Sequence, residues 1–239
     1  MSLFKHFLHF FSRAEEEGKR IHKDFCQLLE HTPEGTNLLD VGCAEGTKAL
    51  RYAEILSVPR ENVYGIEIQE KYIKIASGKL NISIMDLEKG CFPFAGETFD
   101  VVTCNQIFEH LKNIFLPLSE MERVLRTGGH LAIGIPNLAA LHNRILLLFG
   151  FQPVCNAILG PHIRCFTHKA FLNFLKSNPN FRLITITGSS LYPLPYPVVE
   201  FGAHLFPGLS AYTFYLLRKV KHNLQASSWR ISSIGDTCL

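Results

Sequence analysis

The segment from residue 37 to residue 46 constrains the fold of this chain more than any other part of the sequence. An apolar run ends in the carboxylate of Asp40, and small residues follow at Gly42, Ala44 and Gly46. Glycine permits a tight turn and a close approach of the backbone, and a helix that follows offers unpaired N–H groups. The pattern therefore predicts a strand, a tight turn and a helix, an arrangement that binds nucleoside cofactors.

The spacing of the small residues favours one kind of cofactor over another. In the dinucleotide pattern G-x-G-x-x-G the third glycine would stand at Thr47. A carboxylate at Asp40 would also repel a pyrophosphate, whereas it could attract a cationic ligand or orient the loop. The sequence thus favours a sulfonium ligand with an amino group.

Apolar runs alternate with helical segments along most of the chain. Strands separated by helices predict right-handed βαβ units and a parallel sheet covered on both faces, which is a doubly wound α/β fold. After an N-terminal helix over about 12–31, the predicted strands are 38–41, 63–68, 82–85, 99–104, 130–135, 183–187 and 211–218, and the predicted helices are 47–56, 70–80, 116–125, 138–149 and 167–176.

Acidic residues recur at the ends of the predicted strands. Glu67 ends the second strand about twenty residues after the turn, and Asp86 follows the third strand. The chain resembles the class I S-adenosylmethionine-dependent methyltransferases of type 11/12 in these residues, in the fourth strand over 99–104 with Asn105 after it, and in the Gly128-Gly129 turn. The resemblance covers about the first 140 residues. It implies a mostly parallel, seven-stranded, Rossmann-like sheet with an N-terminal helix and a helical or loop cap.

The same resemblance implies S-adenosylmethionine as the cofactor and S-adenosylhomocysteine as the product. Glu67 would accept hydrogen bonds from the ribose hydroxyls; the alternative is a solvated acid at the strand end. Asp86 would accept a hydrogen bond from the adenine amino group; the alternative is an aspartate that only stabilises its turn. The predicted cofactor-binding residues are Asp40, Gly42, Cys43, Ala44, Gly46, Glu67, Ile68, Asp86, Leu87, Asn105, Gln106 and Ile107.

His110 is the candidate general base because it follows the fourth strand, where the methyl group would lie. The alternative is a residue at the start of a helix that contacts the ligand region. Family members with a Glu-x-x-Glu-His run at this place hold a divalent metal. Gln106 stands here where that run has its first Glu, so the sequence predicts no metal.

Two segments beyond the fifth strand resemble the acceptor-side insertions of methyltransferases that modify glycans or lipid-linked intermediates. Their candidate acceptor-binding residues are His142, Arg144, His162 and Arg164, although both arginines could instead brace the cap through carbonyl oxygens. The predicted organisation is a helical segment over 1–35, a methyltransferase domain over 36–220 with insertions at about 137–168 and 190–210, and a disordered tail over 221–239. Proline and glycine in 192–209 predict an irregular cap there.

Composition excludes several classes of partner. A net charge of +3 without a dense basic block does not indicate nucleic acid. The seven cysteines are scattered and include no C-x-x-C pair, so they indicate neither a disulfide framework nor a zinc site. Reduced cysteines predict a cytoplasmic location. No apolar run reaches the roughly twenty residues of a membrane span. A short amphipathic stretch over residues 4–11 is compatible with peripheral membrane contact. The sequence does not determine the oligomeric state.

The predicted function is therefore methylation by S-adenosylmethionine, with O-methylation of a small-molecule, glycan or lipid-linked acceptor favoured. One alternative is a nicotinamide-dependent oxidoreductase on a related sheet, which the glycine spacing and Asp40 oppose. The other is a non-catalytic, methyltransferase-like scaffold that binds a partner, because fold does not dictate function.

Overall fold

The computed structural model describes residues 14–192 and 198–220. The amphipathic stretch over residues 4–11, part of the 192–209 segment and the predicted tail lie outside the described residues. None of the helices in the described ranges has the length and hydropathy that a bilayer span requires. The helices are α1 (Ala14–Leu29), α2 (Thr47–Ile55), α3 (Glu70–Ala76), α4 (Phe115–Val124), α5 (Leu141–Leu148), α6 (His168–Ser177) and α7 (Val198–Leu205). The strands are β1 (Leu38–Val41), β2 (Val63–Glu67), β3 (Asn81–Ile84), β4 (Phe99–Asn105), β5 (Leu125–Pro136), β6 (Phe181–Ser189) and β7 (Tyr212–Lys219).

The seven strands form one sheet in the order β3-β2-β1-β4-β5-β7-β6. Strand β1 pairs in parallel with β2 and with β4, and β7 is antiparallel to both of its neighbours. The strand order reverses beside β1, and ligands of such sheets bind at the carboxyl ends of the strands at this point. The predicted doubly wound, mostly parallel, seven-stranded sheet is confirmed.

Apolar side chains on the two faces of the sheet form two separate cores. Val102 of β4 belongs to the core that helices α4 and α6 cover, whereas its neighbour Val101 belongs to the core under α1 and α2. Successive side chains of a strand point to opposite faces, so a strand buried on both faces is a continuous apolar run. Strand β1 is buried at all four positions, which fixes Asp40 and the following turn at the sheet edge.

The segment 192–209 differs from the prediction of an irregular cap. Helix α7 forms within it, and its Ala203 is buried in a small apolar cluster with Leu191. A Cβ at Gly202 would lie 2.8 Å from the Leu191 side chain, so glycine here allows close helix packing. The prediction of an irregular segment, made from its prolines and glycines, was wrong for 198–205, because tertiary packing stabilises a helix there despite Gly202.

Asn137 joins the two segments that were predicted to cap the sheet. Its side chain is fully buried, and its amide nitrogen donates to the carbonyls of Gly208 and Ser210 at 3.1 and 2.9 Å. Its amide oxygen accepts from the N–H groups of Ala139 and His168 at 3.0 and 3.1 Å. The start of α6, the loop before α5 and the loop before β7 are therefore held at one point beyond β5.

Candidate functional site

The turn between β1 and α2 has a left-handed backbone at three positions. The φ angle is 77° at Gly42, 46° at Ala44 and 77° at Gly46. Glycine adopts these angles without strain, whereas a Cβ makes them unfavourable. A Cβ at Gly42 would also collide with the side chain of Ile107 after β4. The turn thus requires glycine at Gly42 and is strained at Ala44.

Several backbone N–H groups of this turn already have partners. Gly42 and Cys43 both donate to the carbonyl of Ile66, at 2.9 and 3.1 Å. Ala44 donates to the Glu67 carboxylate at 3.0 Å. A pyrophosphate needs such N–H groups to be free, so this turn is poorly suited to a dinucleotide.

Glu67 lies at the centre of the candidate site. Its Oε1 accepts from the N–H groups of Ile68 and Gln69 at 2.8 and 2.9 Å, and its Oε2 accepts from Ala44. A carboxylate has about four acceptor positions, so Oε2 keeps one for a ligand hydroxyl. Ile68 beside it leaves 54% of its surface exposed, which is suited to cover a flat ring. The arrangement fits the predicted role of Glu67 toward a ribose.

Asp40 is buried beneath the turn and bonded within the sheet. Its Oδ1 accepts from the Thr103 hydroxyl of β4 at 2.6 Å. Burial raises the pKa of Asp40 to about 6, although the bond from Thr103 acts in the opposite direction. The nearby Glu67 adds to the rise, and a cation bound here would lower the pKa again.

The side chain of Cys43 does not face a ligand. It is buried against Gly65 of β2, where a Cβ would lie 2.5 Å from the sulfur. Burial raises the pKa of this thiol, so it stays protonated and acts as an apolar group. Cys43 therefore contributes only its backbone to the turn.

Asp86 lies in the turn that follows β3. Its Oδ1 accepts from the Glu88 N–H at 3.0 Å, and its Oδ2 lies 3.2 Å from the Lys89 ammonium. The hydrogen bond from Glu88 lowers the pKa of Asp86. These are the contacts of the turn-aspartate alternative, and they leave acceptor positions for an amino group. Leu87 next to it packs partly against the core.

The end of β4 brings unpartnered polar atoms to the edge of the sheet. The Oδ1 of Asn105 and the Nε2 of Gln106 are buried and have no hydrogen-bond partner. Gln106 has a left-handed backbone with φ of 60°. A buried amide without a partner is costly, and a polar ligand would supply the missing bonds. With Ile107 over Gly42, these atoms fit a cofactor that runs from the turn toward β4.

His110 lies in a short turn of 3₁₀ helix, Phe108–His110, after β4. Its Nδ1 lies 3.2 Å from the Pro161 carbonyl, and its ring meets that of His162 edge-on at 4.9 Å between centroids. Burial lowers the pKa of His110, which favours the neutral imidazole. Because a carbonyl only accepts, the proton lies on Nδ1 and the Nε2 lone pair is available. This geometry is compatible with the predicted general base.

The two predicted acceptor-binding arginines bind the protein backbone. The Arg144 guanidinium donates to the Ala139 carbonyl at 2.7 Å and to Gly208 at 3.4 Å. That of Arg164 donates to the carbonyls of Leu111 and Lys112. These contacts are those of the bracing alternative. The arginines thereby hold the acceptor-side segments, and direct contact with an acceptor would require other donors of each guanidinium.

The structure brings the two predicted acceptor-binding histidines to one cavity. His142 and His162 line a cavity of about 110 Å³ together with Cys155, Tyr192 and Tyr212. Burial lowers the pKa of His142 to about 4, so its imidazole is neutral near pH 7. His162 donates through Nδ1 to the Cys155 carbonyl at 2.7 Å.

Sequence reasoning missed one residue of this region. Glu109 precedes His110 and is only 1% exposed, and burial raises the pKa of its carboxyl to about 8. Neither of its carboxylate oxygens has a hydrogen-bond partner. The signal in the sequence is an acid between Phe108 and a histidine directly after a buried strand, although burial itself could not be derived from it.

Comparison with known proteins finds a family match over part of this chain. Residues 39–133 match the family model described as "Methyltransferase domain". The 27-O-demethylrifamycin SV methyltransferase of Amycolatopsis mediterranei is 32% identical over 119 residues, which are 45% of this chain and 42% of that protein. A demethylmenaquinone methyltransferase of Listeria welshimeri is 30% identical over 110 residues, 44% of this chain and 46% of that protein. The chain thus spans less than half the length of these two relatives.

A solved structure extends the similarity to the whole fold. A methyltransferase of Thermotoga maritima, described as S-adenosylmethionine-dependent and as a possible histamine N-methyltransferase, superposes with a TM-score of 0.59. The superposition covers 91% of this chain and 99% of that one at 17% sequence identity. This similarity shows the shared fold and leaves the acceptor open.

Proposed function

We propose that this chain is a class I S-adenosylmethionine-dependent methyltransferase and catalyses methyl transfer, supported by the match of residues 39–133 to the methyltransferase family model and by the shared fold. The observation that carries the proposal is the contact of Glu67 with the glycine turn. A buried carboxylate that fixes the turn through Ala44 and keeps an acceptor position on Oε2 suits a ribose hydroxyl. The partnered N–H groups of the turn support a ligand without a pyrophosphate at this position.

The residues at the carboxyl edge would hold the cofactor in one orientation. Glu67 would bind the ribose and Asp86 the adenine amino group. The unpartnered Oδ1 of Asn105 and Nε2 of Gln106 would bind the amino acid part. Bound S-adenosylmethionine supplies an activated methyl group on its sulfonium. The protein then aligns the acceptor and excludes water, and alignment alone is worth about 7–11 kcal/mol.

Binding of S-adenosylhomocysteine tests this site. We expect Glu67→Ala to raise the dissociation constant about tenfold or more, because charge-assisted hydrogen bonds contribute roughly 1.5–3 kcal/mol. Glu70→Ala is the matched control, since Glu70 is exposed in the first turn of α3. Calorimetry on both folded variants gives the constants. An unchanged constant for Glu67→Ala would count against the site, and NAD binding to the wild type would favour the oxidoreductase alternative.

The favoured reaction is O-methylation of a small-molecule, glycan or lipid-linked acceptor. The neutral His110 imidazole, with Nε2 free, could accept a proton from an acceptor hydroxyl, which adds about 10²–10⁴-fold to the rate. A radiolabelled methyl-transfer screen over sugars, quinones, lipids and peptides would identify the acceptor. Tight cofactor binding without transfer to any of them would favour the scaffold alternative.

A lipid-linked acceptor is supported by the surface between α5 and α6. Its exposed apolar side chains are those of Leu147, Leu148, Phe149, Phe151, Val154, Ile158, Leu159 and Ile163. From Leu141 to Ser177 the sequence contains no Asp or Glu, whereas it contains four Lys and Arg. Exposed apolar groups beside positively charged side chains favour an anionic lipid surface. The six free cysteines among the described residues support a reducing, cytoplasmic compartment.

Vesicle flotation tests the lipid surface. We expect the full chain to float with vesicles containing phosphatidylserine and less with phosphatidylcholine alone. Leu148→Glu combined with Leu159→Glu should abolish flotation, because these side chains are 80% and 99% exposed and a charge would have to enter the lipid. Ile75→Glu on α3 is the control, at 52% exposure. Equal flotation of all variants would contradict this part of the proposal.

A further inference from the structure

Three side chains that can ligate a metal meet beside the candidate acceptor site. One ligand atom each of Glu109, His110 and His162 lies within 4.8 Å of the other two. Two of them follow β4, and the third comes from the segment between α5 and α6. Residues distant in sequence thus converge at one point of the structure.

Glu109 is the unexplained member of this cluster. The residue is 1% exposed, and both carboxylate oxygens lack a hydrogen-bond partner. The Nε2 of His110 lies 3.9 Å from Oε1, but it carries a lone pair in the neutral imidazole and so offers this carboxylate no proton. A buried carboxylate without a partner costs several kcal/mol in a protein interior. A bound cation would supply the missing partner for both oxygens.

The two histidines are already oriented for ligation. The Nδ1 of His110 faces the Pro161 carbonyl at 3.2 Å, and the Nδ1 of His162 faces the Cys155 carbonyl at 2.7 Å. Each Nδ1 therefore carries the proton, and each Nε2 presents a lone pair. Metal-binding histidines are held in this way, by a carbonyl or carboxylate on the other ring nitrogen.

Backbone hydrogen bonds keep His162 next to the other two ligands. The N–H groups of Ile163 and Arg164 both donate to the carbonyl of Glu109, at 2.8 and 3.1 Å. The Arg164 guanidinium clamps the carbonyls of Leu111 and Lys112. The segment that carries His162 is thus tied to the turn that carries Glu109 and His110.

We propose that Glu109, His110 and His162 bind one divalent transition-metal ion, for which Zn²⁺ is the best match. Two imidazoles and one carboxylate form a ligand set that zinc takes in open sites, whereas Mg²⁺ prefers oxygen ligands alone. Tetrahedral zinc needs ligand atoms about 3.4 Å apart. The Nε2 of His110 lies 3.9 Å from Oε1 of Glu109, so a shift of about 0.5 Å would reach that distance. The sequence predicts no metal because Gln106 stands where the metal-binding run has its first Glu, whereas the proposed ligand set takes its third member from His162.

The ion would leave at least one coordination position open at the acceptor side of β4. If the proposed methyl transfer holds, that position would bind an acceptor oxygen and lower the pKa of its hydroxyl. This role rests on the proposed function, whereas metal binding does not. Ligation would occupy the Nε2 of His110 and so replace its role as general base.

Zinc binding to the full chain, stripped with a chelator and free of cofactor, tests the proposal. We expect calorimetry and metal analysis to give one Zn²⁺ per chain and a raised melting temperature on its addition. Glu109→Gln and His162→Gln should each weaken binding at least tenfold. Glu109→Gln keeps the shape and removes a buried charge, so it should fold. His31→Gln, at an exposed histidine elsewhere, is the matched control.

Two results would overturn the proposal. One is failure of the wild type to bind Zn²⁺ at micromolar concentration while it still binds S-adenosylhomocysteine. The other is binding that persists in Glu109→Gln and is lost in Cys155→Ser, which would place the ion on the neighbouring thiol. Zinc binding without S-adenosylhomocysteine binding would support the metal site and contradict the proposed function, so the two failures are distinguishable.

Discussion

Replacement of Asp40 by asparagine should stabilise the cofactor-free protein in a pH-dependent way. Burial raises the pKa of Asp40 from 3.8 to about 6. The folded state therefore holds this proton more tightly than the unfolded state. The stabilisation that this proton gives the folded state is fully present below about pH 4 and is lost as the pH rises through 6. Asparagine keeps a hydrogen bond with Thr103 and carries no charge at any pH.

The magnitude follows from the size of the shift. The pKa rises by about two, and each pKa unit corresponds to about 1.4 kcal/mol. Above pH 6 the free energy of unfolding of the wild type is therefore lower by about 3 kcal/mol. Asp40→Asn should thus be more stable than the wild type by up to about 3 kcal/mol at pH 7.5. For a domain of this size that corresponds to about 6–12 °C in melting temperature. Near pH 4 the two proteins should melt together.

Thermal unfolding between pH 4 and pH 8 is the assay, and Asp100→Asn is the control of opposite sign. Burial acts to raise the pKa of Asp100, but hydrogen bonds from Thr36 and Asn37 prevail and lower it. Asp100→Asn should therefore destabilise the protein most at neutral pH. A gain in Asp40→Asn that is the same at every pH, or a loss at pH 7.5, would refute the reasoning.

Two further predictions concern the turn and the cap. Ala44→Gly should raise the free energy of unfolding in urea by about 1 kcal/mol, because φ is 46° and left-handed alanine is strained; a lower stability would contradict the strain. Asn137→Ala should lower it by about 2–5 kcal/mol, because four hydrogen bonds are lost and their backbone partners stay buried. In hydrogen exchange the amides of Ala139 and His168 should lose protection, and protection equal to the wild type would exclude this role.

The sheet could be predicted because its strands are short apolar runs between helical segments. Each predicted strand from β1 to β5 overlaps an observed one, and Thr167 caps α6 as expected, accepting from the Ala170 N–H. These features depend on residues adjacent in sequence. Glu67 could be predicted in the same way, since its position at the end of β2 follows from the run before it.

The rest of the site depends on contacts between distant residues. Nothing local in the sequence shows that Arg144 meets the Gly208 carbonyl, or that His162 approaches Glu109. The formation of α7 around Gly202 likewise depends on the side chain of Leu191. Local sequence patterns predict the residues at the carboxyl edge of the sheet. The arrangement of the acceptor-side segments depends on tertiary packing, which residue propensities do not encode.

Asn137 has a consequence for how such proteins diversify and can be engineered. Its amide uses two donor and two acceptor contacts on three loops at once. An insert between Asn137 and His168 therefore has both of its ends on a fixed scaffold, whatever its interior sequence. This residue therefore marks a natural junction for chimaeras, at which the recognition segment of one homologue could be grafted onto the sheet of another.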